Sequence, residues 1–173
     1  MRKSKPLDAA GLFDYALRLL AGRAMTQGEL RVRLARRAAN AADVAPALAR
    51  LKEYGMLDDR RFAEAFTRLR LEDERYGRFR VLRDLKARRV APALAEQAVG
   101  AAYRGVDEDR LVEEYLAKKL RRARPKELTP SRLASLYRSL LRAGFGAGAI
   151  RRALGKLSVP AEGVEESEDA TDS

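Results

Sequence analysis

The chain has 173 residues, with 36 Lys and Arg against 25 Asp and Glu, a net charge of +11, and neither Cys nor His. Disulfides, thiolate or imidazole metal sites, Cys nucleophiles and His-based triads are therefore excluded. No apolar run approaches the ~20 residues that cross a bilayer, and no signal-peptide core follows the basic start Met1 to Pro6, so a soluble intracellular protein is expected.

Apolar residues recur at three- and four-residue steps almost throughout, period-2 alternation is missing, and Ala, Leu, Arg and Glu dominate. This predicts an all-α fold. Residues 1–7 form a basic extension. From Asp8 a first helix carries Leu12, Ala16, Leu19 and Leu20 towards a core and ends near Gly22. Thr26 and Glu29 have capping-box spacing and start a second helix. A third runs to Tyr54. Either Asn40 caps it and Pro46 kinks it, or Asp43 caps it and Pro46 falls in its first turn, where the missing amide matters little. Gly55 fits the left-handed position past that helix, with Met56 expected to fold back on Leu51. Asp58 is a good N-cap for the next helix, and Leu57 and Phe62 are spaced as a hydrophobic staple.

That fourth helix carries Phe62, Phe66 and Leu69 and is broken at Tyr76-Gly77. Val81, Leu82 and Leu85 lie on a fifth. Pro92 opens a sixth, which Gly100 or Gly105 ends. Asp107 starts a seventh, with Leu111, Tyr115, Leu116 and Leu120 at helical spacing as far as Pro125. Thr129-Pro130 is an N-cap followed by Pro at the first helical position. Gly144-Phe145-Gly146 forms the turn between the last two helices.

The chain repeats itself. Leu30, Leu34, Ala39, Val44 and Leu48 are separated by steps of four, five, five and four, and the same steps give Val81, Leu85, Val90, Ala95 and Val99, then Leu136, Leu140, Phe145, Ile150 and Leu154. A four-residue step keeps one helix face, and the five-residue steps cross a turn. Each copy is a tight helix pair preceded by a further helix. The expected architecture is an elongated array of three tandem three-helix modules, nine helices in all, over 8–57, 58–106 and 107–158. Residues 159–173 form an acidic tail expected to be disordered. The tail from Ala161 holds six acids and no base, which leaves 36 bases against 19 acids, or +17, on the first 160 residues. Such a surface attracts polyanions or an acidic protein face.

No catalytic constellation emerges. Asp58-Asp59 with Glu64, or Glu72-Asp73-Glu74, are the only carboxylates to weigh as a divalent-metal site, but neighbours on a helix point about 100° apart. Acids at a helix start already complement its dipole. No phosphate-binding Gly-rich loop and no nucleophile elbow is present. The reading is therefore no enzyme, no cofactor and no metal. Basic residues remain. Arg80, Arg83 and Lys86 fall opposite Val81 and Leu85, Lys118, Lys119, Arg121 and Arg122 form a dense run, and Arg70 lines the fourth helix. Rows of this kind neutralise phosphates without reading sequence, although each Arg singly is more simply a solvated side chain over apolar neighbours. Tyr76 and Phe79, which flank Gly77-Arg78, are the aromatics most open to stacking, with core packing the favoured reading for both.

The chain resembles the RecX family of regulatory proteins. The matching stretches are Ala16 to Leu20, Glu29-Leu30 with Arg33-Leu34, and Leu51 through Tyr54-Gly55-Met56-Leu57-Asp58-Asp59-Arg60-Arg61-Phe62-Ala63 with Arg70 downstream. Gly77-Arg78, Leu82, Leu85-Lys86, Val90 and Leu141 to Phe145 complete the match. The resemblance implies three tandem three-helix modules and a bacterial, cytoplasmic, nucleoid-associated monomer. It implies a regulator that binds the RecA recombinase filament and single- or double-stranded DNA. Filament extension, strand exchange, ATP hydrolysis and coprotease activity would be weakened. Arg70, Arg78, Arg80, Arg83, Lys86, Lys118, Lys119, Arg121 and Arg122 are the expected contacts. Two turns depart from the family pattern: Arg89 stands where Gly is usual, and the first module has Ala38-Ala39, so altered turn geometry is expected there. The rival reading is a sequence-specific DNA-binding regulator. Its third helices begin Ala41-Ala42-Asp43, Ala91-Pro92-Ala93 and Gly146-Ala147-Gly148, nearly bare of base-reading groups.

Overall fold

The computed structural model describes residues 5–121 and 129–158. Among these are nine α-helices and no strand: α1 Ala9–Gly22, α2 Gln27–Ala35, α3 Val44–Glu53, α4 Asp59–Glu72, α5 Arg78–Ala87, α6 Pro92–Ala102, α7 Glu108–Arg121, α8 Pro130–Arg142 and α9 Ala147–Ser158. Arg122 and the acidic tail lie outside the described residues. The extensive helix–helix contacts all fall within α1–α3, α4–α6 or α7–α9. Each trio surrounds its own buried cluster, around Leu30, Leu34 and Leu48, around Val81, Leu85 and Val99, and around Leu140, Phe145 and Ile150.

Local chemistry sets the helix ends. The capping box at Thr26 is closed in both directions, with the Glu29 amide donating to Thr26 Oγ1 at 3.1 Å and the Thr26 amide to Glu29 Oε2 at 3.2 Å. Asn40 caps a 3-10 turn, Ala41–Asp43, that feeds α3 and leaves Pro46 in the first α-helical turn. Both sequence alternatives thus hold part of the answer. Beyond α3 the Gly55 amide donates to Lys52 O and the Met56 amide to Leu51 O, with Gly55 at φ 66°. The Met56 side chain stays half exposed. Leu57 joins the first core and Phe62 packs on the second, so the staple spacing spans two clusters. Gly105, at φ 75°, lies past the end of α6, while Gly100 is helical.

The repeat ladder is buried at every position except Ala39. In the second and third modules the turn closes identically. The Arg89 amide donates to Lys86 O and the Val90 amide to Leu85 O, as the Gly144 amide donates to Leu141 O and the Phe145 amide to Leu140 O. Arg89 adopts φ 60° and Gly144 φ 91°. The Arg therefore keeps the turn, at the ~1–2 kcal/mol that a side chain costs in the left-handed region. The first module does differ. Ala38 packs on the core, Ala39 is exposed, and the extended Leu7 bridges the turn, its amide on Arg37 O and its carbonyl receiving the Ala39 amide, both at 2.7 Å.

The same carbonyl position docks each module on what precedes it. Arg88 O receives the Thr26 hydroxyl, Ala143 O receives the Gly77 amide at 2.9 Å, and Arg37 O receives Leu7. The turn of one module therefore sits on the start of the second helix of the module before. Leu7 occupies that place where no earlier module exists. Glycines permit the approach: a Cβ on Gly28 would lie 2.5 Å from Arg89 Cβ, and one on Gly77 would lie 2.2 Å from Gly144 O.

A candidate nucleic-acid interface at the second joint

Of the nine basic residues singled out in the sequence, Arg122 lies outside the described residues and the other eight divide into three groups. Arg70, Arg80 and Lys118 serve the scaffold. Arg70 stacks over Phe66 and Tyr76, with guanidinium-to-ring distances of 4.9 and 5.8 Å, and lies 3.7 Å from Glu74. Arg80 lies over Tyr76 at 4.1 Å and pairs with Asp84 at 3.5 Å. Arg88, over Phe62 and Phe66, extends this alternation of cations and rings along the second module. Lys118 Nζ donates to Asp73 O at 2.9 Å and ties α7 to the end of α4. Such stacked, half-buried guanidinium groups hold rings in place by cation–π attraction as well as by area.

Lys119 and Arg121 are exposed on α7. Arg121 borders an open cleft lined also by Glu72, Asp73 and Glu114. Carboxylates there oppose any polyanion. Across the same cleft Arg75 pairs with Glu114 at 3.4 Å.

Arg78, Arg83 and Lys86 form the third group, on α5. The buried face of that helix is Val81 and Leu85, so Phe79, Arg83 and Lys86, at steps of four and three, share an outer face. Phe79 is 58% exposed, with the Arg78 guanidinium 5.8 Å from its ring centroid. Core packing, expected for both aromatics, holds only for Tyr76, which lies against the second and third cores. Phe79 stands two positions before Val81, about 200° of helix, which turns the ring away from the core.

The end of α8 meets this face. Phe79 N donates to Gly144 O at 3.2 Å, and the Arg83 guanidinium donates to Arg142 O at 3.0 Å. Arg138, Leu141 and Arg142 are exposed on one face of α8, Leu141 at 42%. No acid occurs in α8, and the one acid of α5, Asp84, is held by Arg80. No carboxylate of a described residue pairs with Arg78, Arg83, Lys86, Arg138 or Arg142. Sequence reasoning passed over Arg138, Leu141 and Arg142 as contacts. The available signal was a helix with Arg at steps of six and four and no acid.

The second joint is fixed by more than this edge. Tyr103 Oη donates to Tyr76 O at 2.6 Å, and both rings pack on the second and third cores. Burial pushes the Tyr103 hydroxyl up to about 12. On α7 and α9, Asp109 takes two 2.7 Å hydrogen bonds from Arg152, and Glu113 pairs with Lys156. The Arg152 hydrogen bonds hold the Asp109 carboxyl below its usual range. Arg152 and Lys156 are thus engaged within the third module. Among the described residues no cluster of three or more His, Cys, Asp or Glu is placed to hold a metal ion, and no helix is long and apolar enough to cross a membrane.

Comparison with known proteins points one way. A model of the first three-helix domain of RecX matches residues 13–51, and a model of the second three-helix domain matches residues 58–99. The regulatory protein RecX of Chlorobaculum tepidum is 36% identical over 108 residues, 62% of this chain and 65% of that protein, so this match spans just under two thirds of the relative. The regulatory protein RecX of Treponema pallidum (strain Nichols) is 33% identical over 149 residues, 86% of this chain and 85% of that one. The crystal structure of RecX from Lactobacillus salivarius superposes with a TM-score of 0.65 at 18% identity, covering 86% of this chain and 96% of that chain. At that identity the superposition speaks for the fold.

Proposed function

The chain belongs to the RecX family of regulatory proteins, and we propose that it regulates by binding the RecA nucleoprotein filament, touching both protein and DNA. Binding weakens filament extension, strand exchange, ATP hydrolysis and coprotease activity. The protein performs no reaction of its own and acts as a cytoplasmic, nucleoid-associated monomer. Its three modules, residues 8–57, 58–106 and 107–158, lie along the filament as one series.

The observation that carries this reading is the surface shared by α5 and α8. Five cations and two exposed apolar side chains, Phe79 and Leu141, lie on these two helices, and none of the cations is ion-paired with a carboxylate of a described residue. Glu108, which borders a small cavity beside Arg78, is held by the Gly146 amide. Such a surface neutralises phosphates and releases counterions, whatever the sequence. The rival, a sequence-specific DNA-binding regulator, is disfavoured because α6 and α9 open with Pro92-Ala93 and Ala147-Gly148, which offer nothing to base edges.

Co-sedimentation with RecA filaments preassembled on single-stranded DNA tests the reading. The wild-type protein is expected to pellet with the filaments. The Arg83→Glu, Lys86→Glu, Arg142→Glu triple variant is expected to bind more weakly and with a shallower salt dependence, by about two units in log K against log salt on single strands. Unaltered binding by the triple variant would remove this surface from the interface. Absence of wild-type protein from the pellet would remove the function.

A further inference from the structure

Phe79 has no assigned part in the scaffold. It is 58% exposed on the outer face of α5 and belongs to none of the three cores. The backbone beneath it is rigid all the same. Its amide is bonded to Gly144 O at 3.2 Å, and the nearby Gly77 is in such close contact that a Cβ there would lie 2.2 Å from the same oxygen. A large ring on an ordered base loses little freedom when a ligand covers it.

The surroundings select the ligand. The Arg78 guanidinium lies over the ring, 5.8 Å from its centroid, and offers a second flat, cationic surface on which a base can stack. Arg83 and Lys86 follow along the same face within about 10 Å of helix. Arg138 and Arg142 stand on the adjoining end of α8. A ring with cations on two sides and no free carboxylate suits a ligand that presents flat faces joined by phosphates. In a duplex the faces of the bases are stacked inside, and only unpaired nucleotides offer them.

We infer that Phe79 is a base-stacking residue that gives this surface its preference for unpaired nucleotides over duplex DNA. The inference rests on the proposed contact with DNA and adds to it the residue and the form of nucleic acid selected.

The chain contains no Trp, so Phe79→Trp introduces a single reporter at the position in question. Binding of wild-type protein, Phe79→Ala and Phe79→Trp is measured by fluorescence anisotropy against oligo(dT), an abasic oligonucleotide of equal length, and a duplex. Phe79→Ala is expected to weaken oligo(dT) binding about tenfold and to leave abasic and duplex binding within about twofold, since neither ligand offers a free base face. Phe79→Trp is expected to retain oligo(dT) binding, with indole emission quenched by oligo(dT) and not by the abasic strand. Equal loss on all three ligands, no loss on any, or an unquenched indole would each overturn the inference. If Phe79→Ala weakens binding to the RecA filament while oligo(dT) affinity is unchanged, the ring is a protein contact and the inference is wrong. Failure of wild-type protein to bind any of the three would overturn the DNA contact itself along with it.

Discussion

At the first joint the turn Arg88-Arg89 rests on the start of α2, and at the second the turn Ala143-Gly144 rests on the start of α5. The first is made largely by side chains. The Thr26 hydroxyl donates to Arg88 O, the Gln27 amide donates to Asp59 Oδ1 at 2.7 Å, and Arg88 lies 3.6 Å from Glu29. No buried cluster is shared across it. The second is made by backbone on backbone, through Gly77 and Gly144, and by Tyr76 and Tyr103, which belong to two cores at once. Equivalent docking is thus achieved at both joints by a close glycine approach, Gly28 on Arg89 and Gly77 on Gly144. Side-chain hydrogen bonds, one from the buried Thr26, are added at the first joint and shared aromatic packing at the second. The first joint lacks the shared apolar packing of the second. The second is the place to present a surface of fixed shape, and the α5–α8 patch lies there.

The largest effects should break the second joint. In Gly144→Ala a Cβ 2.2 Å from the Arg80 amide is added to a φ of 91°, and Gly77→Ala meets Gly144 O at the same distance. Each is expected to cost about 3 kcal/mol or more, read by urea denaturation. Retention of wild-type stability by both would contradict the packed joint.

The first joint should give way more gently. Asp59→Ala removes the acceptor of the Gln27 amide while Asp58 still caps α4, with Asp58 Oδ1 receiving the Arg61 amide at 2.9 Å. A loss of about 1–2 kcal/mol is expected, with faster hydrogen exchange at Gln27 and unchanged exchange at Gly77. Equal acceleration at both amides would mean that the joints open together.

Next in size is Tyr103→Phe, which strands Tyr76 O and is expected to cost about 1 kcal/mol near neutral pH. The folded-state value of about 12 lies above the ordinary value of 10.0. The native state therefore favours the neutral phenol. Its stabilisation is full below pH 10 and declines as pH rises from 10 towards 12. The stability difference between wild type and Tyr103→Phe should narrow over that window in paired melts. A constant difference would place the hydroxyl in water.

The smallest effect is a gain. Arg89→Gly relieves a left-handed side chain and should stabilise by about 0.5–1 kcal/mol. It should also soften the cost of Gly28→Ala, since Arg89 Cβ is the nearest atom, at 2.5 Å. A double-mutant cycle in thermal melts measures that coupling, and strict additivity would show that the two residues do not touch.

What the sequence disclosed follows from range. Buried ladders are written in steps of four and five because a helix returns a side chain to one face every turn, and Leu30, Val81 and Leu136 could be found without coordinates. Caps at Thr26, Asp58 and Thr129 are equally local. Ala39 misled because the repeat assumes a preceding element of constant kind, and here the distant Leu7 supplies it. The cations were separable only in three dimensions. Arg80 and Arg83 are both polar-side residues of α5, but Tyr76 and Asp84 hold one while the other reaches Arg142 O. Phe79 was legible in part: its offset of about 200° from Val81 already pointed away from the core.

The proposed regulation of the recombinase is tested most directly by titrating the protein into RecA hydrolysing ATP on single-stranded DNA. The account predicts that hydrolysis falls as the protein is added. It also predicts that the triple charge reversal at Arg83, Lys86 and Arg142 shifts this fall to higher concentration. Hydrolysis that stays constant at saturating wild-type protein would contradict it.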